Sequence, residues 1–527
     1  MSDTHGRRIA SVAGGTLASR LTGLIRVLVL AWVLGFTPLA DSFNLANTIP
    51  NMLFDLVAGG ILSATFIPVA IERLARDGER RAWRSISSMV TASLVVLLLA
   101  SVIAWFASPG IIHGFTFLQQ PGSGAARLAL HHQEDIAIRL LRWFVPQVFF
   151  YGVIGLAGAL LNVRNRFGSP AWSPVANNVI AVAVLVWFHL VDSHPTVASV
   201  TSGSELAWLG AGTSAGVLVQ FLVMLPSLAR ASLSRLRLQL DLRDPALRAM
   251  GRLGWWTFLV VLTNQASLYV VLALAFATGG SGPVSAYTYG WSFMQMPFAV
   301  VVVSVMSVIT PRLAEHAARD DDQAFTHQLA TGLRQSLVII LPASVGLIVL
   351  AQPLVAVLLN HASATAALPA GNVLAILAAG LPGFTVFQLC VRALQSLQHA
   401  RDVFFLYVIE NAANVILALW WGHRSLSGLT ASVSVAYLLA AILSLVTLRW
   451  RGVRVESAVL STHARRSLVA SLLMGVIAAA VYAGPSWTHG PLLVLRLLLA
   501  GGCGLMTYVV AVDIGRRRAS TKTFVGD

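Results

Sequence analysis

Stretches of about twenty apolar residues recur along this chain from end to end, and no other feature restricts its fold so severely. In hydrocarbon every backbone N–H and C=O must be satisfied inside the protein, which leaves α-helices or a closed barrel. Long continuous apolar runs select helices. Hydropathy places fourteen spans near 11–36, 41–70, 86–106, 136–162, 172–191, 206–228, 250–278, 284–313, 332–350, 370–398, 404–422, 426–449, 465–484 and 490–513. The expected class is an all-α polytopic membrane protein. With 57% hydrophobic and 11% charged residues over 527 positions, the chain lacks the polar surface a soluble protein of this size needs.

The formal net charge of +15 comes almost wholly from arginine, Lys522 being the only lysine. Its distribution is topological. One set of loops holds Arg73, Arg76, Arg80, Arg81 and Arg84, then Arg164 and Arg166, then Arg230, Arg235, Arg237, Arg243 and Arg248. Arg312, Arg319, Arg401, Arg449, Arg451, Arg454, Arg465, Arg466 and the tail Arg516–Arg518 continue the series. The alternate loops hold little beyond Arg127, in the 107–135 connection, and Arg424. The positive-inside rule then puts both termini in the cytoplasm, as an even number of spans requires. Nucleic acid is not needed to explain the charge. Arg7 and Arg8 precede a first apolar run too long for a signal core and without a small-residue cleavage site, so no cleavable signal is expected.

Nothing in the sequence makes an enzyme site. There is no phosphate-binding glycine loop, zinc spacing or nucleophile elbow, so no catalytic residue, metal ligand or cofactor is expected. Cys390 and Cys503 lie in apolar segments and read as buried thiols. "RDDDQAF" at 319–325 reads as a solvated helix start. "LSRLRLQLDLR" at 233–243 alternates leucine with polar residues and reads as an interfacial segment between two halves of the molecule.

Those halves show in the chain's similarity to itself. "NNVIAVAVLVWF" at 177–188 resembles "ANVILALWWGH" at 413–423, and "TFIPVAIERLARDGER" at 65–80 resembles "VITPRLAEHAARDDDQ" at 308–323. The offsets are 236 and 243 residues, and each moves a span by six places. Prolines interrupt the two related long spans, Pro50 in the second and Pro297 in the eighth. The reading is a parallel repeat: 1–229 as an amino-terminal lobe, 230–249 as a linker, 250–450 as a carboxy-terminal lobe, and 451–527 as a last helix pair with its tail. Two like-oriented bundles are a transporter architecture.

Polar residues inside the spans are concentrated at the amino end. Asn44, Asn47, Asn51 and Asp55 step by three or four and share one face of the second helix. Arg20 and Arg26 lie in the first span, about 240° and about 9 Å apart on a helix. An arginine at a span's centre costs at least roughly 2.5–3.5 kcal/mol on insertion scales. Arg20 is near enough to the span's end to snorkel. Arg26 needs an acidic partner, backbone carbonyls or an anionic ligand, and Asp41 and Asp55 are the nearest carboxylates by topology. Farther along, Asn264, Glu410, Asn411 and Asn414 are weaker candidates for binding a coupling ion.

The segment from Ser19 to Pro68 resembles the amino-terminal signature of the MurJ (MviN) family of lipid II flippases. The matching positions are Ser19-Arg20, Gly23 with Ile25-Arg26, Asp41, Pro50-Asn51, Gly60, Ser63, Phe66 and Pro68. "PRLAEHAARDD" at 311–321 resembles the family's eighth-helix exit. The family lies within the multidrug/oligosaccharidyl-lipid/polysaccharide exporter superfamily. The resemblance implies a multi-pass protein of the bacterial cytoplasmic membrane that moves lipid II between leaflets by alternating access. Arg20, Arg26 and Asp41 would be its site residues, and membrane potential, Na+ or H+ its driving force. Lipid II or a related polyprenyl-pyrophosphate glycan, membrane lipids and cell-wall synthesis proteins would be its partners. The rival readings are a flippase for another polyprenyl-linked glycan, a cation-coupled drug exporter and a non-transporting scaffold. The chain departs from the family pattern at Val27, Phe54 and Ser292, where charged or basic residues are common, and in this it resembles the actinobacterial branch.

Overall fold

The computed structural model describes residues 2–56, 62–76, 78–119, 121–164, 166–193, 195–201, 204–231, 236–280, 282–358, 364–422, 425–455, 462–484 and 490–524. Gly60, Arg235 and Arg424, singled out above, lie outside them. The described residues form helices joined by short turns: α1 (Ser2–Leu34), α2 (Pro38–Phe54), α3 (Leu62–Arg76), α4 (Gly78–Thr116), α5 (Gly124–Phe144), α6 (Pro146–Val163), α7 (Gly168–Val191), α8 (Val197–Thr201) and α9 (Glu205–Arg230). There follow α10 (Pro245–Ala277), α11 (Pro283–Pro297), α12 (Val303–Ala318), α13 (Asp322–Leu358), α14 (Ala364–Ser396), α15 (Ala400–Trp420), α16 (Leu426–Trp450), α17 (Thr462–Ala483) and α18 (Gly490–Phe524).

Among the described residues thirteen helical stretches are long and apolar enough to cross a membrane, and they coincide with every expected span except the second. Residues 57–61 of that one lie outside the described residues; before them Pro50 lies inside α2 and a π-helical turn opens at Asp55, and after them α3 runs from Leu62. The eighth span repeats the device, with Pro297 followed by a π turn over Phe298–Val302. A proline removes an amide and crowds the preceding turn, and a π turn absorbs the displaced carbonyls.

Compactness separates the chain into residues 1–285 and 286–527, a boundary inside α11. In the first unit α10 packs on α3 and α4, which keeps it with the amino-terminal helices. There α1 lies along α7, with Trp172 Nε1 donating to the Ser11 carbonyl at 3.0 Å and its ring filling the space beside Gly15. In the second unit α14 is held between α13 and α16, and α17 and α18 pair against α13. The α14–α16 approach needs small residues: a Cβ on Gly380 would meet the Ser434 backbone at 2.8 Å.

Two expectations are corrected. The connection at 107–135 is mostly helix, because α4 runs to Thr116 and α5 starts at Gly124. Cys390 is buried as expected, but Cys503 is exposed, since its α18 neighbours are apolar toward lipid and not toward protein. The aspartate run behaves as read, with Asp321 Oδ1 accepting the Ala324 amide at 2.9 Å just before α13.

Few of the α1 residues from Ser11 on are fully buried, so its attachment to α7 depends on a few specific contacts. Asn178 Nδ2 donates to the Ser19 carbonyl at 3.2 Å and to Thr22 Oγ1 at 3.1 Å. Asn178→Leu removes both bonds and should cost about 1–3 kcal/mol. Thermal unfolding in detergent checks this, with Asn178→Gln as the less damaging control.

Candidate functional site

The amino ends of α2 and α11 meet, and this junction organises the first unit. Both helices begin with proline, which has no N–H to leave unpaired in the first turn. Thr37 caps α2, its hydroxyl accepting from the Ala40 amide at 3.1 Å. Asp41, in the first turn of α2 and only 2% exposed, turns away from its own helix. Its Oδ1 accepts both the backbone N–H and the hydroxyl of Ser285, each at 2.7 Å. A first-turn amide has no intrahelical acceptor, and the helix dipole favours negative charge there. Asp41 therefore caps α11 from another helix.

Asn44, one turn further on, donates from Nδ2 to Ser285 Oγ at 3.0 Å. On the other side, Ser42 Oγ donates to the Gln133 carbonyl and Gln133 Nε2 donates to the Pro38 carbonyl, both at 3.1 Å. Gly282, at φ +75°, makes the approach possible. A Cβ there would lie 2.4 Å from the Phe36 backbone.

Descending α2, the polar stripe opens out. Asn44 is buried, Asn47 half-buried, and Asn51 and Asp55 are exposed. Asn51 Nδ2 donates back to the Asn47 carbonyl at 2.9 Å, and Gln265 Nε2 of α10 donates to Asp55 Oδ2 at 3.2 Å. The stripe is thus a dry seam at one end and an accessible wall at the other.

Arg20 is exposed and Arg26 half-buried on α1. With Asp41 held by Ser285 and Asp55 by Gln265, neither carboxylate pairs with Arg26. Among the described residues Arg26 has no ion-pair partner. Its guanidinium lies within electrostatic reach of Tyr151 on α6, whose ring packs against Phe54 with centroids 5.7 Å apart. The result is a cation without an ion-pair partner among the described residues, near the Tyr151–Phe54 ring pair.

Of the weaker candidates, Asn264 belongs to the first unit and is half-buried. Glu410, Asn411 and Asn414 stand together on α15 in the second. Asn414 Oδ1 accepts from Ser432 Oγ at 3.0 Å, and Asn411 Nδ2 donates to the Tyr407 carbonyl at 2.8 Å. Glu410, 4% exposed, is close enough to Tyr287, Tyr407 and Tyr437 to act on them electrostatically. No three His, Cys, Asp or Glu side chains among the described residues could hold a metal ion.

Sequence reading missed Ser285 and Tyr151. Ser285 had a signal, because the 243-residue repeat offset carries Ser42 onto it. Tyr151 had none.

A family profile described as lipid II flippase MurJ matches residues 30–500. The chain belongs to the MurJ family of lipid II flippases. A probable lipid II flippase MurJ from Rhizobium meliloti is 28% identical over 521 residues, covering 96% of this chain and 92% of that protein. The lipid II flippase MurJ of Burkholderia cenocepacia is also 28% identical, over 85% of this chain and 84% of its own. A solved MurJ structure in an inward closed conformation superimposes with a TM-score of 0.76 at 19% identity, covering 96% of this chain and 99% of that one. An inward-facing multidrug transporter of the MATE family follows at 0.65 and 15% identity, over 84% and 96%. Both likenesses are of fold, and the first covers nearly the whole arrangement of spans.

Because Asp41 meets Ser285 through two donors, the variants should be unequal. Ser285→Ala keeps the amide bond and should cost about 1 kcal/mol, while Asp41→Ala loses a charged acceptor and should cost about 1.5–3 kcal/mol. The double variant should fall short of the sum, a coupling readable by thermal unfolding of the four proteins in nanodiscs.

Proposed function

We propose that this chain moves lipid II from the inner to the outer leaflet of the bacterial cytoplasmic membrane by alternating access. Membership of the flippase family supplies the reaction class. The observation that carries the reading to particular residues is Arg26, a cation inside a membrane span with no carboxylate partner among the described residues. Lipid II presents a pyrophosphate, and a guanidinium makes strong charge-assisted bonds to phosphate oxygens. Asn47, Asn51 and Asp55 offer amide and carboxylate contacts to a sugar and peptide headgroup along the accessible end of α2. Arg20, exposed on the same helix, meets the headgroup as it enters.

The arginine bias of the loops supports placing both termini in the cytoplasm. On that orientation Asp41 and Ser285 lie at the outer end of their spans. Their bond closes the outer side while the headgroup is taken up, and it must break for release. A bond between a carboxylate and a helix terminus suits this cycle, since both groups can be rehydrated when they part. Glu410 is the group to which we assign coupling to H+ or Na+, with membrane potential the alternative source of direction.

Replacing the native flippase of a bacterium with this chain tests the reading, with inner-leaflet lipid II as the measurement. The wild-type chain should prevent its accumulation. Arg26→Ala should lose at least about tenfold in rate, the loss of one charge-assisted contact, with Arg26→Lys intermediate. Full rescue by Arg26→Ala at equal protein level overturns the pyrophosphate contact. Failure of the wild type, when inserted in the membrane, assigns the site to another polyprenyl-linked glycan.

A further inference from the structure

The segment between α9 and α10 holds a structure that the transport cycle does not use. Residues 236–241 cross α4 in an irregular, strand-like run, and Leu242 and Arg243 form a turn into α10, with the Asp244 N–H donating to the Asp241 carbonyl at 3.2 Å. Every second amide is taken by a hydroxyl of that helix: Arg237 N–H by Ser87 Oγ at 3.1 Å, Gln239 N–H by Thr91 Oγ1 at 3.1 Å and Asp241 N–H by Ser88 Oγ at 3.0 Å. Ser88 Oγ in turn donates to the Asp241 carbonyl at 3.0 Å. The amides of Leu238 and Leu240, between those three, fall on the opposite edge and have no partner among the described residues. An open strand edge is not stable in hydrocarbon, so the strand lies where water reaches it.

Its side chains nevertheless favour an apolar medium on one face. Leu236, Leu238 and Leu240 share that face, and Leu242 follows them in the turn. Leu236 reaches the hydrophobic cluster around Phe66, Trp83 and Met250, while Leu238, Leu240 and Leu242 are 84%, 49% and 69% exposed. The opposite face carries Arg237, Gln239, Asp241 and Arg243, all exposed.

Position on α4 fixes the depth. Ser88 is four residues, about 6 Å, from exposed Arg84, and seven residues, about 10 Å, from Val95. With Val95 begins the exposed apolar band of Val96, Leu98 and Leu99. The strand thus lies where an arginine-rich helix end gives way to lipid-facing residues. Exposed Arg230 and Arg248 at the neighbouring helix ends add positive charge, and Asp244 is turned inward to cap α10 and accept from Ser85.

We propose that residues 236–243 form a membrane-binding strand, with Leu238, Leu240 and Leu242 seated at the headgroup–acyl boundary of an anionic leaflet and Arg237 and Arg243 on its phosphates. The strand anchors the connection between α9 and α10 to the membrane surface, so the protein has a second, headgroup-selective lipid contact apart from its transport site. Amphipathic segments with apolar and arginine faces bind such surfaces by apolar insertion plus charge.

The test uses the full chain in nanodiscs, with Cys503→Ser to remove the exposed thiol and the buried Cys390 left in place. Single cysteines at 238, 239, 240 and 242 are labelled with an environment-sensitive fluorophore. The bonds to Ser87, Ser88 and Thr91 use only the strand backbone, so these substitutions leave it docked. In discs containing phosphatidylglycerol, a headgroup-depth nitroxide lipid should quench 238, 240 and 242 roughly threefold more than 239, with aqueous iodide showing the reverse order. Arg237→Gln with Arg243→Gln should lower retention of phosphatidylglycerol in native mass spectrometry by about fivefold per arginine. Iodide quenching at all four positions without lipid quenching overturns the proposal and gives the leucine face to a protein partner. Unchanged phosphatidylglycerol retention in the double variant overturns the assignment of the arginines to anionic headgroups.

Discussion

A carboxylate laid against the amino end of another helix is the interaction on which the first unit depends. The first turn of α11 needs acceptors, water is scarce inside a membrane protein, and Asp41 supplies an acceptor of the sign the helix dipole favours. Once Asp41 is committed there, Asn44 is drawn onto Ser285 and the amino end of α2 is fixed from two sides, by α11 and by Gln133 of α5. The opposite end of α2 has none of this. It carries Pro50, opens into a π turn at Asp55 and exposes Asn51 and Asp55. One helix thereby has a clamped end and an adaptable end, the distribution of stiffness that a gate beside a binding wall requires.

The same commitment leaves Arg26 uncompensated. A helix-spanning arginine with an aspartate partner would be a structural ion pair, costly to break and of little use for binding. Here the two carboxylates nearest by topology are occupied, one by a helix terminus and one by Gln265. The position of Asp41 thus decides the chemistry of a residue with which it shares no bond.

Much of this was legible in the sequence, because hydropathy measures transfer into lipid directly and the fourteen spans follow from it. The polar stripe from Asn44 to Asp55 was also visible, since helical periodicity alone puts those residues on one face. Whether that face was dry or accessible was not, because it depends on which serine of a distant helix lies opposite. Ser285 resembles any serine until the repeat brings Ser42 onto it. Cys503 misled for a related reason, as apolar neighbours do not tell lipid from protein. The leucine alternation at 233–243 was visible too, but its docking on Ser87, Ser88 and Thr91 was not, because these sit in a long span where small hydroxyl residues usually bond their own helix.

The departures from the family pattern give these features a common sense. The resemblance leads one to expect charged or basic side chains where Val27, Phe54 and Ser292 stand. Val27 gives Arg26 no neighbouring carboxylate, Phe54 packs on Tyr151, and Ser292 Oγ donates to the Thr288 carbonyl of its own helix at 2.9 Å. Each of these residues is neutral, so in the proposed pyrophosphate contact Arg26 would carry more of the interaction than it would in a site of several cations. The magnitudes permit it. Placing the arginine within a span costs roughly 2.5–3.5 kcal/mol. A charge-assisted contact returns about 1.5–3 kcal/mol. The first cost is incurred on insertion, whether or not an anion is bound, so only the second would set the proposed affinity, and it is small enough to let an anion leave. A transporter must release what it binds in every cycle, and a single weakly compensated arginine satisfies that requirement where a dense cationic cluster would oppose it.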